Sequence, residues 1–330
     1  MKVFDFDPGD HRDAYRREGW VHVKGGATPE FLSAARRFVL DRTTAQRLGG
    51  RGLAGQKDQY LFELPAAVDP GEALFDVLAH LTGLRRSTMT LSERHVKAYS
   101  QDADPMPAAH KDRLSSQISV GISVEVPLGS HLVLYPHHDR WVNPFLSTGL
   151  RGALEPDRLP EVVLAGAEGV EIHDEPGDVV VFPGSSVWHL RRRSAGAVNI
   201  YLKFNDFDAD PLGEDPSTDE RRAATLAALR GPAEALVTLA PVLSRRFDSI
   251  VEERSRVGWR RTLSAVVWGG PPVTLSDAEA MLLRSLEPAR PISSLQATPP
   301  GGLEAEQVEA ALRRLAERGV CDLLPAVPTP

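Results

Sequence analysis

The stretch 110–204 constrains the chain more than any other, because it strings short apolar segments between Pro and Gly turns. Just before it, Val96-Lys97-Ala98-Tyr99 reads as a strand. Residues 117–126 (QISVGISVEV) alternate polar and apolar side chains, and 130–135 (SHLVLY) follow a Pro-Leu-Gly turn. After a loop with Trp141, Pro144, Gly149 and Pro156, strand patterns resume near 162–164, 170–172, 179–182, 187–190 and 198–204. Strands so placed predict a mainly β core with flanking helices (α+β). The expected form is a double-stranded β-helix of the jelly-roll or cupin type, not an alternating βαβ fold.

The flanks read as helices. Trp20-Val21-His22-Val23 is a short strand broken by Gly25-Gly26, and Thr28-Pro29 starts a helix with Phe31, Leu32, Ala35, Phe38 and Val39 on one face. A second helix is expected near 72–82, stopped by Gly83. Residues 206–219 hold five Asp among Pro and Gly, which reads as a linker. Helical patterns follow at 219–230 and 233–256. Ser276 and Glu279 form a capping box, and 304–318 is a further helix before a strand at 320–324. The expected organisation is a β domain over 1–205, a linker over 206–218 and a helical domain over 219–330. The last of these contains a winged-helix-like unit at 272–325.

Composition narrows the chemistry. No run reaches the ~18 apolar residues of a membrane span, and the start MKVFDFD is acidic where a signal peptide would be basic then apolar. The expectation is a soluble cytoplasmic protein with no membrane partner. Cys321 is the only cysteine, so an intrachain disulfide and a thiolate metal cluster are excluded; a metal must sit on His and carboxylate. A net charge of −7, with eight acids against five Arg in 275–330, opposes nucleic-acid binding; only 244–261 is locally basic. Packing, peptide docking or homo-oligomer contacts are the expected roles of the C-terminal domain.

Four His-x-acid triplets occur, at His11, His110, His137 and His173, where chance placement would give one or two. Position separates them. In a double-sheet barrel, paired ligands at one strand's mouth need several strands before the third ligand, so that both mouths face one cavity. His110 and Asp112 lie 79 and 77 residues before His189. Together these form a 2-His-1-carboxylate set, the arrangement that binds Fe(II) on one face and leaves positions open. His137 with Asp139 remains the rival pair.

The order His110-Lys111-Asp112, then 129–136 (GSHLVLYP), then 177–183 (GDVVVFP), then His189, resembles the Fe(II)/2-oxoglutarate-dependent dioxygenases. Within them it is nearest the phytanoyl-CoA hydroxylase and prolyl hydroxylase types. The entry 15–25 (YRREGWVHVKG) is similar to the start of phytanoyl-CoA hydroxylase-like chains, and the resemblance covers about 12–205. It implies Fe(II) on His110, Asp112 and His189, with 2-oxoglutarate and O2 as co-substrates and release of succinate and CO2. It also implies hydroxylation of an unactivated C–H in a natural-product, amino-acid or peptidyl substrate. The halogenases of the superfamily resemble this pattern with a small residue in place of the carboxylate, so Asp112 argues against halogenation.

The family holds the far carboxylate of 2-oxoglutarate with an Arg or Lys shortly after the distal His. Here the sequence departs, because position 199 is Asn. Lys203 shares a strand face with Asn199 and Tyr201 and is the first choice; Arg191 and Arg193 are alternatives, and Tyr99 is a further hydrogen-bond donor. Arg113, Arg140 and Trp141 lie where a loop would cover the cavity and are the candidate substrate contacts. Two other classes stay open: a catalytically silent cupin-like sensor or scaffold, and a winged-helix nucleic-acid-binding regulator using 244–261.

Overall fold

The computed structural model describes all residues except 42–46, 49–56, 147–148, 288 and 327–330, and it divides into two compact units, Met1–Asp208 and Ala209–Pro330. In the first, strands β1 (Val21–Val23), β2 (Arg47–Leu48), β3 (Lys57–Leu61), β4 (Thr90–Tyr99), β5 (Ile118–Glu125), β8 (Val179–Phe182) and β10 (Val198–Asn205) form one antiparallel sheet. Its order is β1-β8-β5-β10-β4-β3-β2. A smaller sheet pairs β6 (His131–Tyr135) with β7 (Val170–Ile172) and β9 (Trp188–Arg192), in the order β7-β6-β9. His110 joins that sheet through a bridge to His189. From β4 onward the chain visits the sheets as large, small, large, small, small, large, small, large, which is the winding of a jelly roll.

Local signals place the helices. Asp7 caps α1 (Pro8–Glu18) through Gly9 N–H, and Gly19 ends it with φ 78°. Thr28 caps α2 (Pro29–Leu40), which buries Phe31, Ala35 and Val39 against the outer face of the large sheet. The expected helix near 72–82 is a π-helical turn, Gly71–Asp76, running into α3 (Val77–Thr82), and Gly83 stops it. Two short helices, α4 (Leu150–Ala153) and α5 (Pro160–Val163), follow β6. The strand expected at 162–164 is therefore helical. Pro160 sits at the first helical turn, where its fixed φ favours a helix over the β-branched preference of Val162 and Val163.

The large sheet has two unlike faces. Val96, Ile200, Leu202, Val120 and Ile122 point outward into an apolar core under the helices. The opposite face is polar yet enclosed. Its cross-strand rows run Gln59, Lys97, Asn199, Ser123; then Leu61, His95, Tyr201, Gly121; then Glu93, Lys203, Ser119. Every residue of β10 is buried, so the alternation that would normally separate solvent from core here separates core from an internal site. Buried polar groups need partners or ligands, and this face carries several of them.

The second unit holds α6 (Pro216–Arg230), α7 (Ala233–Leu236), β11 (Leu239–Leu243), β12 (Phe247–Arg254), β13 (Arg261–Val267) and β14 (Val273–Leu275). It ends in α8 (Asp277–Arg284), α9 (Ile292–Ala297), α10 (Ala305–Glu317) and β15 (Cys321–Pro325). The helical pattern expected over 233–256 is a correction: one helical turn is followed by two strands. Pro241 within the run lacks the N–H an interior helical turn requires, and β11 pairs instead with β15. The expected linker is ordered too. Asp210 accepts hydrogen bonds from Glu214 N, Asp215 N and Thr218 Oγ1, and Asp215 caps α6. Its Asp residues close turns and caps, which composition alone reads as solvation. Among the described residues no helix is long and apolar enough to cross a membrane.

Candidate metal centre

The site forms where the small sheet's rim meets the polar face of the large one. His110 and His189 exchange backbone hydrogen bonds of 3.0 and 2.9 Å, which places their rings side by side with centroids 4.3 Å apart. Asp112 N–H donates to Gly184 O at 2.9 Å, which fixes the carboxylate two residues on from His110 and on the same side. Lys111 between them points away. Its ammonium donates to Asp139 O and Trp141 O and lies 3.9 Å from the Trp141 ring centre. One ligand atom from each of His110, Asp112 and His189 lies within 4.8 Å of the others, close enough to share one ion.

Supporting contacts orient each ligand. His189 Nδ1 meets Val187 O at 3.0 Å; as the donor there it leaves Nε2 free, 3.7 Å from Asp112 Oδ2. Ser119 Oγ donates to Asp112 Oδ2 at 2.8 Å, and Lys203 Nζ donates to Oδ1 at 2.7 Å. His110 Nδ1 is buried with no hydrogen-bond partner. Burial carries the His110 pKa well below its usual value and that of His189 to about 4, so both rings are neutral near pH 7, the form that ligates metal. Burial opposes the charge on Asp112, yet Lys203 and His189 beside it hold its pKa well below the usual carboxylate range.

His110 and Asp112 border a cavity of about 520 Å³ on the polar face, with His189 packed behind them; Leu150, Leu154 and Trp188 form its apolar wall. The charges inside it pair unevenly. Glu93 takes Lys203 at 3.1 Å and Arg113 at 3.3 Å, and Ser116 Oγ adds a bond to the same carboxylate. Lys203, Arg113, Glu93 and Asp112 therefore form a closed quartet. Lys97 and Lys57 stand outside it. Lys97 is 7% exposed and its ammonium lies 4.4 Å from the Tyr201 ring centre; that of Lys57 lies 5.4 Å from Tyr99. Among the described residues neither reaches a carboxylate, and none of the undescribed positions is Asp or Glu. Burial and the neighbouring Lys203 bring the Lys57 pKa down to about 8.

The other sequence candidates fall into place around this chamber. Lys203 lines it but is held by two carboxylates, and uncoupling such a buried pair costs about 3–5 kcal/mol. Asn199 donates to Ser123 Oγ at 3.4 Å, and its Oδ1 is buried without a partner. Arg191 is engaged by Asp174 at 2.6 Å and Ser130. Arg193 is exposed, and Arg140 is exposed beside Gly19; neither lines the cavity. Arg113 lines it, whereas Trp141 anchors its loop by donating to Asp139 Oδ2 at 2.9 Å. The rival pair is separated: His137 is exposed, and Asp139 is occupied by Trp141, Trp188 and Arg158. Lys97, Lys57, Glu93 and Ser119 escaped the sequence reading. The signal present was the pairing of Lys97 with Asn199 across one ladder, which only the register reveals.

No protein-family model and no curated protein matches the chain. Among solved structures it is similar to a prolyl-4-hydroxylase of Pseudomonas putida, at 13% identity and TM-score 0.41 over 60% of this chain and 98% of that one. It is also similar to the non-haem α-ketoglutarate-dependent carbocyclase SnoK of nogalamycin biosynthesis, at 14% identity and TM-score 0.43 over 60% and 83%. A third is HygX of Streptomyces hygroscopicus with nickel, 2-oxoglutarate and hygromycin B bound, at 12% identity and TM-score 0.37 over 61% and 88%. Likenesses this distant carry no weight for activity.

Proposed function

We propose that the chain is a non-haem Fe(II)- and 2-oxoglutarate-dependent oxygenase, with His110, Asp112 and His189 as the iron ligands. The observation that carries this is their convergence within 4.8 Å, with His110 and Asp112 facing a cavity lined by charged and apolar side chains. The donor set fits the metal: two neutral imidazoles, one of them with a buried unpartnered nitrogen, and one carboxylate occupy three positions and leave the rest to ligands. When bound, ferrous iron with 2-oxoglutarate and O2 supplies an oxidant able to take hydrogen from an unactivated C–H, with succinate and CO2 as products.

The chain's own residues prepare that chemistry. Lys203 and Ser119 hold the Asp112 carboxylate in one orientation, and Val187 O fixes the His189 tautomer. Lys97 receives the far carboxylate of 2-oxoglutarate. It stands directly across the ladder from Asn199, so the cation missing at position 199 is supplied by β4. The substrate class expected is a small or peptidyl molecule hydroxylated at an unactivated carbon.

The test is succinate release by the iron-loaded protein. Wild type is expected to consume 2-oxoglutarate, slowly without substrate. Lys97→Met is expected to raise the KM for 2-oxoglutarate about tenfold or more, the loss of one charge-assisted contact. It should melt no lower than wild type, because an unpaired buried ammonium is removed. Absence of succinate from wild type under any iron loading would sink the oxygenase reading. An unchanged KM in Lys97→Met would return the anchoring role to Lys203.

A further inference from the structure

We propose that the primary substrate carries an oxyanion, a carboxylate or a phosphate, and that Lys57 receives it inside the cavity. The proposal rests on the oxygenase reading for the identity of the other ligands. Asp112 and Glu93 are answered by Lys203 and Arg113, Arg151 is paired with Glu161, and Lys111 is turned to the carbonyls of Asp139 and Trp141, which among the described residues leaves two ammonium groups, Lys97 and Lys57, on the same face. A dicarboxylate that spends one carboxylate on the metal has one left, and it satisfies one of the two. The second lysine still lacks a counter-charge.

Position decides which. Lys97 lies on β4 beside the central strand β10, deeper and more enclosed, whereas Lys57 lies on β3, one strand further out and only partly buried. Gln59, two residues along and on the same face, also lines the cavity and offers an amide to the same ligand. Buried uncompensated ammonium groups are costly, and two in one chamber repel each other. Such a pair persists where anions occupy the site during its working cycle.

The test uses the full chain with Mn(II) in place of iron and 2-oxoglutarate at saturation. Inorganic phosphate and, separately, acetate are titrated by calorimetry in chloride-free buffer. Wild type is expected to bind at least one, phosphate for a phosphate-bearing substrate and acetate for a carboxylate. Lys57→Met is expected to weaken that binding about tenfold, Lys57→Arg to restore most of it, and both to keep wild-type 2-oxoglutarate affinity. A melting temperature no lower than wild type certifies the fold of Lys57→Met, and Lys57→Gln replaces it if that fails. Binding of neither anion by wild type, or equal binding by Lys57→Met, overturns the proposal. A loss of 2-oxoglutarate affinity in Lys57→Met matching that in Lys97→Met overturns it as well, since Lys57 would then serve the co-substrate. Failure of the oxygenase reading looks different: the protein takes up no 2-oxoglutarate, and the same anion titrations without it still decide the role of Lys57.

Discussion

Replacing His189 with alanine is expected to abolish 2-oxoglutarate turnover, by about a thousandfold or more, while leaving the fold intact. The imidazole is one of three ligands and its loss removes the facial set. The β9 backbone that carries it stays paired to β6 through Leu134 and to His110 through two backbone bonds. His110→Ala is expected to behave the same way. His137→Ala is the control: its ring is exposed and distant in role, so succinate release should stay at the wild-type rate. Measured turnover in His189→Ala near that of wild type would mean that some other residue completes the site.

Gly184→Ala is expected to disable the centre without touching a ligand. A Cβ built on Gly184 would fall 2.1 Å from Ser119 Oγ and 2.6 Å from Asp112 Oδ2. Ser119 can rotate away, but Asp112 is held at Oδ1 by Lys203 and at its backbone by Gly184 itself, so the carboxylate must be pushed out of line. Supporting-contact losses of this kind lower metal affinity about 10–100-fold, and overpacking costs about 1–3 kcal/mol of stability. A metal titration with a thermal melt reads both. Wild-type affinity in Gly184→Ala would mean that the approach of Gly184 to Asp112 does not set the carboxylate. Here glycine answers a close approach, not a turn: the Pro183-Gly184 pair reads in sequence as punctuation, and its steric role exists only once β5 brings Ser119 alongside.

The jelly-roll strands were legible because their alternation is strong; in β5 and β10 every second residue is apolar. The triad was legible through chain separation. What escaped detection depended on partners far along the chain. Strand β3, with the sequence KDQYL, carries no apolar alternation and is recognisable only by its pairing with β4. Lys97 sits in a segment that reads as an ordinary strand, and its place opposite Asn199 follows from register. Lys203 stood on the right face, but the carboxylates that hold it, Glu93 and Asp112, come from two other segments. In the second unit, Pro241 marked the end of any helix, yet the spacing of Leu236, Leu239 and Leu243 imitates one. Hydrophobic periodicity over a short run does not separate a half-buried edge strand from a helix.

The most direct measurement is the stoichiometry of metal uptake, by calorimetric titration of Mn(II) into metal-free protein in the presence of 2-oxoglutarate. One ion per chain is expected in wild type and His137→Ala, and none at comparable affinity in His110→Ala, Asp112→Ala or His189→Ala. Retention of the site in those three variants, or its loss in His137→Ala, would contradict the metal centre described here.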